Sequence, residues 1–212
     1  MQIIRNEIIK HLPSSGEARR LFHGRGRCFN GYDDLVIDFF PPVVMVILYR
    51  QRSQAWLDEL AQLLVATMPD QPQAILLQER FLMNGPSRLL QGTLPESLDA
   101  REAEWSFRLR LGEAQNIGFF PDMAAGRKLV QQRAAGKRVL NLFAYSCSFS
   151  VAALAGGAAQ VVNLDMNRGA LELGKLNHRI NNIDLRQASF LPLEFFRSLS
   201  KLRKLGPFDL VI

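Results

Sequence analysis

The sequence predicts an α/β chain in which a small α+β domain precedes an open, mostly parallel sheet covered by helices. Three observations predict it. From residue 138 onward, strand-like and helix-like stretches alternate with short connections, the pattern of right-handed βαβ units. Residues 28–80 read instead as strands, a helix and a further strand. Between them, Asn84 to Glu102 is rich in Gly, Pro, Ser and Glu, which suits an exposed hairpin or linker.

Residues 1–27 are expected to form an N-terminal helix and loop, with a short helix starting in the stretch Ser14 to Arg27. In residues 28–104, the small α+β domain, Asn30-Gly31 marks a turn and Leu35 to Phe39 a strand. Pro41-Pro42 breaks that strand, and the β-branched run Val43 to Tyr49 predicts a buried one. Trp56, Leu60, Leu63 and Leu64 fall at helical spacing within Ser53 to Met68; Ser53 is the cap and Pro69 the stop. Ala74 to Gln78 resumes as a strand.

Residues 105–212 form the second predicted domain. Trp105 to Leu111 alternates as a half-buried strand, and a helix runs from Met123 to near Gly136. Strands then follow at Arg138–Phe143, Gln160–Asp165, Leu185–Ser189 and Phe208–Ile212. Helices at Phe149–Ala155, Arg168–Ile180 and Leu193–Leu202 separate them. This succession is Rossmann-like but incomplete, because ligands of such sheets sit beyond the carboxyl ends of the strands. Catalytic groups are therefore expected beyond Ile212, and the chain alone is expected to be inactive. Its exposed edge at Asp209–Ile212 predicts self-association, as in a homo-oligomer, or poor solubility.

With 212 residues, 48% of them hydrophobic, the chain can bury a sizeable core. No apolar run approaches the roughly 20 residues of a membrane helix, and Met1 to Lys10 lacks a signal-peptide pattern. A cytoplasmic protein with no membrane partner is expected. Cys28 and Cys147 have no nearby histidine, so neither a zinc pattern nor a disulfide framework is present; both thiols are expected to be buried. His11, His23 and His178 are dispersed and expected on the surface.

The net charge of +6 is unevenly divided. Residues 1–104 carry 11 Lys/Arg against 13 Asp/Glu, whereas residues 105–212 carry 15 against 7. A basic half suits a polyanionic partner, although an ordinary solvated face has the same composition. Arg19, Arg20, Arg25 and Arg27 form the densest basic patch of the N-terminal part, readable as an RNA phosphate contact or as a plain surface loop.

The strongest chemical signal is the turn Ala144-Tyr145-Ser146-Cys147-Ser148 after the first strand of the second domain, with Asp165 closing the next strand about twenty residues later. A carboxylate there can accept both hydroxyls of a ribose. The turn lacks the Gly-x-Gly-x-x-Gly spacing that lets a pyrophosphate approach, which favours a phosphate-free nucleoside such as S-adenosylmethionine over NAD. A generic α/β turn has the same outline.

Asn141-Leu142-Phe143-Ala144-Tyr145-Ser146, followed by Phe149-Ser150-Val151-Ala152-Ala153, resembles the Asn-Leu-Phe-(Ser/Ala)-Tyr-Thr-Gly motif of bacterial class I methyltransferases. The group it is most similar to modifies cytosine C5 or guanine N2 in large-subunit ribosomal RNA. Gln115 to Asp122 with Arg127 resembles that family's hairpin and Asp-x-Arg segment, and Val162 to Asn167 its ribose-binding turn. Gly206 to Ile212 resembles the strand leading into its Asp-Pro-Pro loop.

The resemblance implies S-adenosylmethionine as cofactor, RNA (ribosomal RNA above all) as partner, and no metal. It implies that Phe143 and Tyr145 flank the methionine and ribose, with Ser146 and Cys147 presenting backbone groups. Asp165 would hold the ribose and Met166 would pack on the adenine. Asp122 and Arg127 would complete the pocket, and Ser189 would stand where an acidic residue receives the adenine amino group. Cys147 departs from the family's glycine, and Ser189 from its acid. Plainer roles stay open for three of these residues: a helix cap for Asp122, a core aromatic for Tyr145 and ordinary packing for Met166. The functional alternatives are a non-catalytic RNA- or partner-binding fragment and an NAD-dependent oxidoreductase.

Overall fold

A computed structural model describes residues 1–13, 16–112 and 115–212, and divides the chain into two compact units. The first comprises Met1–Glu104 with Leu109–Ile117, the second Trp105–Arg108 with Gly118–Ile212. No helix among the described residues is long and apolar enough to cross a membrane.

The first unit is built on a five-stranded sheet in the order β1-β2-β3-β4-β5. Its strands are β1 (Arg19–His23), β2 (Leu35–Phe40), β3 (Val43–Leu48), β4 (Ala74–Glu79) and β5 (Ser87–Gly92). The helix α1 (Gln2–His11) precedes β1, and α2 (Gln54–Thr67) links the parallel pair β3 and β4. Pro41 and Pro42 form the tight turn of the β2–β3 hairpin, whose closing pair is Phe40 and Val43. Ser53 caps α2, its Oγ accepting from the Trp56 amide at 3.3 Å. Alternation sends Leu35, Ile37, Val44, Val46, Ile75 and Leu77 to one sheet face, where Ile4 and Ile8 of α1 and Leu57, Leu60 and Leu64 of α2 cover them.

The structure corrects the expectation from sequence at two places here. Arg19–His23 is a strand and not a helix; a bulge between Arg20 and Phe22 brings the consecutive Leu21 and Phe22 both into the core and hides the alternation. Ser14 and Ser15, where that helix was expected to start, lie outside the described residues. Within Asn84 to Glu102, Ser87–Gly92 joins the sheet as β5, and Leu98–Glu102 is a further strand, β6.

The second unit carries four parallel strands, β8 (Arg138–Leu142), β9 (Gln160–Leu164), β10 (Ala188–Leu191) and β11 (Leu210–Val211), after β7 (Trp105–Leu109), which the unit boundary crosses. Their order is β10-β9-β8-β11, so the sheet winds outward one way from β8 and then reverses. That reversal opens a crevice at the carboxyl end of β8. Helices α3 (Ala124–Arg133), α4 (Ser148–Ala155), α5 (Arg168–Ile180) and α6 (Leu199–Leu205) alternate with the strands. Val139 and Val161 pack with Val130 of α3 and Ala153 of α4, while their neighbours Leu140 and Val162 pack with Leu202 of α6. A Cβ at Gly156 would lie 2.1 Å from the Gln131 carbonyl, so glycine there permits the close approach of α3 and α4.

This is the expected Rossmann-like sheet. Leu185–Gln187 is a 3-10 turn and β10 begins at Ala188, so the strand lies slightly later than the sequence reading. Cys28 is exposed while Cys147 is buried, correcting the expectation of two buried thiols. His178 is 0% exposed and not a surface residue.

Candidate functional site

The site is built on the five residues joining β8 to α4. Phe143, Tyr145 and Cys147 all have left-handed backbones, with φ of 50°, 45° and 60°. For non-glycine residues each such conformation costs on the order of 1–3 kcal/mol and persists only when the surroundings enforce it. Here they do. The Ala144 amide donates to the Leu164 carbonyl at 3.0 Å and the Cys147 amide to the Ala144 carbonyl at 2.7 Å. The buried Ser146 hydroxyl donates to the Gly118 carbonyl, and the Ser146 carbonyl accepts from Asn177 Nδ2 at 2.9 Å. The Tyr145 amide donates to Asp165 Oδ2 at 2.8 Å, tying the first turn to the end of β9.

Asp165 is half-buried, and its other oxygen, Oδ1, accepts from the Asn167 amide at 2.8 Å. Asn167 in turn caps α5, its Oδ1 accepting from the Ala170 amide at 3.0 Å. An ionised carboxylate offers about four acceptor positions. Two backbone amides fix the Asp165 carboxylate in place, and one further position on each oxygen can serve a ligand. A vicinal diol matches that arrangement.

Beside this turn lies a cavity of about 300 Å³ whose lining includes Arg127, Phe143, Tyr145, Phe120, Asn141 and Phe149. Its aromatic wall is set by Arg127, which is only 1% exposed. Arg127 Nη2 donates to the Phe120 carbonyl at 3.0 Å, and its guanidinium lies 4.4 Å from the Phe119 ring centroid. Phe120 and Tyr145 pack with ring centroids 5.5 Å apart. Phe143 projects outward, 75% exposed.

Arg127, Phe143 and Tyr145 are thus brought to one cavity, with Asp165 bonded to the same turn. Ser146 and Cys147 sit under the turn with buried side chains. Burial, and secondarily the Asp165 charge, push the Cys147 thiol far above its usual range, so it supplies no thiolate. Asp122 lies in the 3-10 turn Pro121–Met123, and Met123 is the cap residue of α3. Met166 is 68% exposed beside Asp165, and Ser189 lies in β10 with its carbonyl accepting from Asn163 Nδ2 at 3.3 Å; neither lines the cavity.

The four arginines belong to the first unit and do not form one patch. Arg19 and Arg20 are neighbours on β1 and project to opposite faces. Arg20 grips Asp38 with two bonds of 2.7 and 3.1 Å, and Arg19 pairs with Glu17 at 3.5 Å. Arg25 stacks 4.0 Å from the Tyr49 ring centroid, and Arg27 is exposed. The sequence reading gave no role to Asn141, Phe120 or Phe149. All three lie inside stretches that carry the family resemblance, which was their only signal. Among the described residues no cluster of His, Cys, Asp or Glu could hold a metal.

The profile of a family described as S-adenosylmethionine-dependent methyltransferase matches residues 19–212. A ribosomal RNA large subunit methyltransferase I from Serratia proteamaculans is 35% identical over 123 residues, covering 57% of this chain and 31% of that protein. Its counterpart from Aliivibrio fischeri strain MJ11 is 29% identical over 189 residues, covering 86% and 48%. Among solved structures, a candidate SAM-dependent methyltransferase from Streptococcus mutans superposes with a TM-score of 0.85 at 24% identity, covering 99% of this chain and 57% of that one. SMU.776, a candidate methyltransferase complexed with SAH, gives 0.83 at 26% identity, covering 94% and 51%. The chain therefore spans about half, or less, of the length of the relatives it matches.

Proposed function

The chain belongs to the S-adenosylmethionine-dependent methyltransferase family, and on that premise we propose that it binds S-adenosylmethionine at the carboxyl ends of β8 and β9 and serves methylation of a ribosomal RNA base. The observation that carries the proposal is Asp165, whose two oxygens are each held by one backbone amide, leaving one acceptor position on each for a ribose hydroxyl. A pyrophosphate would need the close backbone approach that glycines allow, and Tyr145 and Ser146 stand there instead, which disfavours the nicotinamide alternative.

Bound at this site, the cofactor supplies an electrophilic methyl group on a sulfonium. The residues of this chain bind and orient. Asp165 accepts the ribose hydroxyls, and the bonds from Tyr145 and Asn167 prevent it from turning away. Phe120, Tyr145 and Phe149 exclude water from the cavity, and Arg127 keeps that wall rigid from behind. Met166, exposed beside Asp165, is the apolar surface an adenine would cover, with the Ser189 region of β10 as its edge. Asp122 lies in the 3-10 turn between Phe120 and Met123, which both line the cavity.

The RNA part of the proposal is supported by the names of the relatives and by the charge excess of residues 105–212. A base in folded RNA must be unstacked to enter such a pocket. In this reading the second unit carries the cofactor site, and the exposed Arg25 and Arg27 of the first unit contact phosphate. A ribosomal substrate places the protein in the cytoplasm. Equilibrium dialysis with labelled S-adenosylmethionine tests the cofactor: saturable binding, competed by S-adenosylhomocysteine and not by NADH, is expected. No saturable binding, or competition by NADH, contradicts the proposal.

A further inference from the structure

A continuous chain of buried side chains runs from the core of the second unit to the cavity. His178, Asn163 and Ser150 are fully buried, and Asn141 nearly so. Buried polar groups are tolerated when every partner is satisfied, and such a chain then has few ways to arrange its protons.

Here there is one way. His178 Nδ1 lies 2.7 Å from the Gly174 carbonyl, which can only accept, so Nδ1 carries the proton. Burial holds the ring neutral, against the weaker opposing effect of that carbonyl. Nε2 is then a lone pair and accepts from the Ser150 hydroxyl at 2.9 Å. Ser150 Oγ, having given its proton away, accepts from Asn163 Nδ2 at 3.1 Å. The Ser189 carbonyl is a second, longer partner of the same Asn163 Nδ2, at 3.3 Å. Asn163 Oδ1 must therefore accept, and it does so from Asn141 Nδ2 at 2.9 Å.

The consequence falls on Asn141, which lines the cavity. With its nitrogen bonded to Asn163, its carbonyl Oδ1 has no hydrogen bond among the described residues. A reversed amide would face Asn163 Oδ1 with another oxygen. We infer that His178, Ser150 and Asn163 are positioning residues that lock the Asn141 amide so that the cavity presents an acceptor, which selects ligands carrying an N–H donor. Resting on the cofactor reading above, that donor is the α-ammonium at the amino-acid end of the cofactor.

The probes are S-adenosylhomocysteine and its analogue lacking the α-amine, titrated calorimetrically into the chain and its Ser150→Ala variant, with thermal melting to verify folding. The substitution breaks the relay without adding volume. It is expected to weaken S-adenosylhomocysteine about 5- to 10-fold while changing the deamino analogue by less than twofold. Equal weakening of both ligands would show a merely structural role and overturn the relay. Absence of binding by the unmodified chain would instead sink the cofactor reading, and this inference with it.

A second measurement needs no variant. Nitrogen-15 NMR of the unmodified chain is expected to show His178 as the neutral Nδ1–H tautomer at pH 7. A proton on Nε2 would reverse the chain and refute the assignment.

Discussion

The sulfur of Cys147 occupies the space that a side chain at position 174 would need: a Cβ built on Gly174 would lie 2.5 Å from Cys147 Sγ and 3.0 Å from its Cβ. The two residues meet where α5 passes under the turn between β8 and α4. Cysteine at 147 is accommodated because glycine at 174 leaves room, so the departure from the expected glycine in the turn is absorbed in the helix below it.

Gly174→Ala should therefore destabilise the protein by about 1–3 kcal/mol, despite alanine's better helix propensity, because the added methyl meets a packed sulfur. In a Cys147→Gly background the same substitution should cost far less. Urea denaturation of the four members of this cycle measures the coupling. Additive effects would mean that the two side chains do not compete for space.

The two cysteines should differ sharply in reactivity. Cys28 is exposed, whereas Cys147 is buried with its thiol pushed well above the usual range. In the native protein a thiol reagent should modify one cysteine rapidly, and a second only on unfolding. Mass mapping should place the fast adduct on Cys28; rapid modification of Cys147 would contradict the structure.

Stability should depend on pH through His178. Burial lowers its pKa below the ordinary 6.5, so on acidification the unfolded chain takes up this proton before the folded one. The contribution is complete above about pH 6.5 and is lost as the pH falls from there toward the depressed folded value. The stability difference between the unmodified protein and His178→Gln, from urea midpoints at pH 7.5, 6.5 and 5.5, should shrink as the pH falls. A constant difference would show that His178 titrates alike in both states.

The parts of this architecture that were legible from sequence depend on local pattern. The strand–helix alternation after residue 138 survives because each element keeps its own period, and Asp165 is legible because its spacing from the first turn is short. What escaped depends on partners distant in the chain. His178 lies on the buried stripe of α5 with Ala170, Leu171 and Gly174, but its polarity masks that stripe until Ser150, 28 residues away, satisfies it. Asn177 is similar, accepting from the Arg108 amide 69 residues earlier. Nothing local in the sequence announces Asp38 as the partner of Arg20, 18 residues away, so its expected roles were an RNA phosphate contact or a surface loop. The strand Arg19–His23 was concealed by its own bulge.

The central claim is that Asp165 holds a ribose. Its most direct test is binding of S-adenosylhomocysteine, and of the analogue lacking the ribose hydroxyls, to the unmodified chain and to Asp165→Asn. Charge-assisted hydrogen bonds of about 1.5–3 kcal/mol predict a loss of roughly 10- to 100-fold for S-adenosylhomocysteine on substitution, with little further change for the dideoxy analogue. Equal affinity of both proteins for S-adenosylhomocysteine, or an equal loss for both ligands, would show that Asp165 only braces the turn through Tyr145 and that the ribose is held elsewhere.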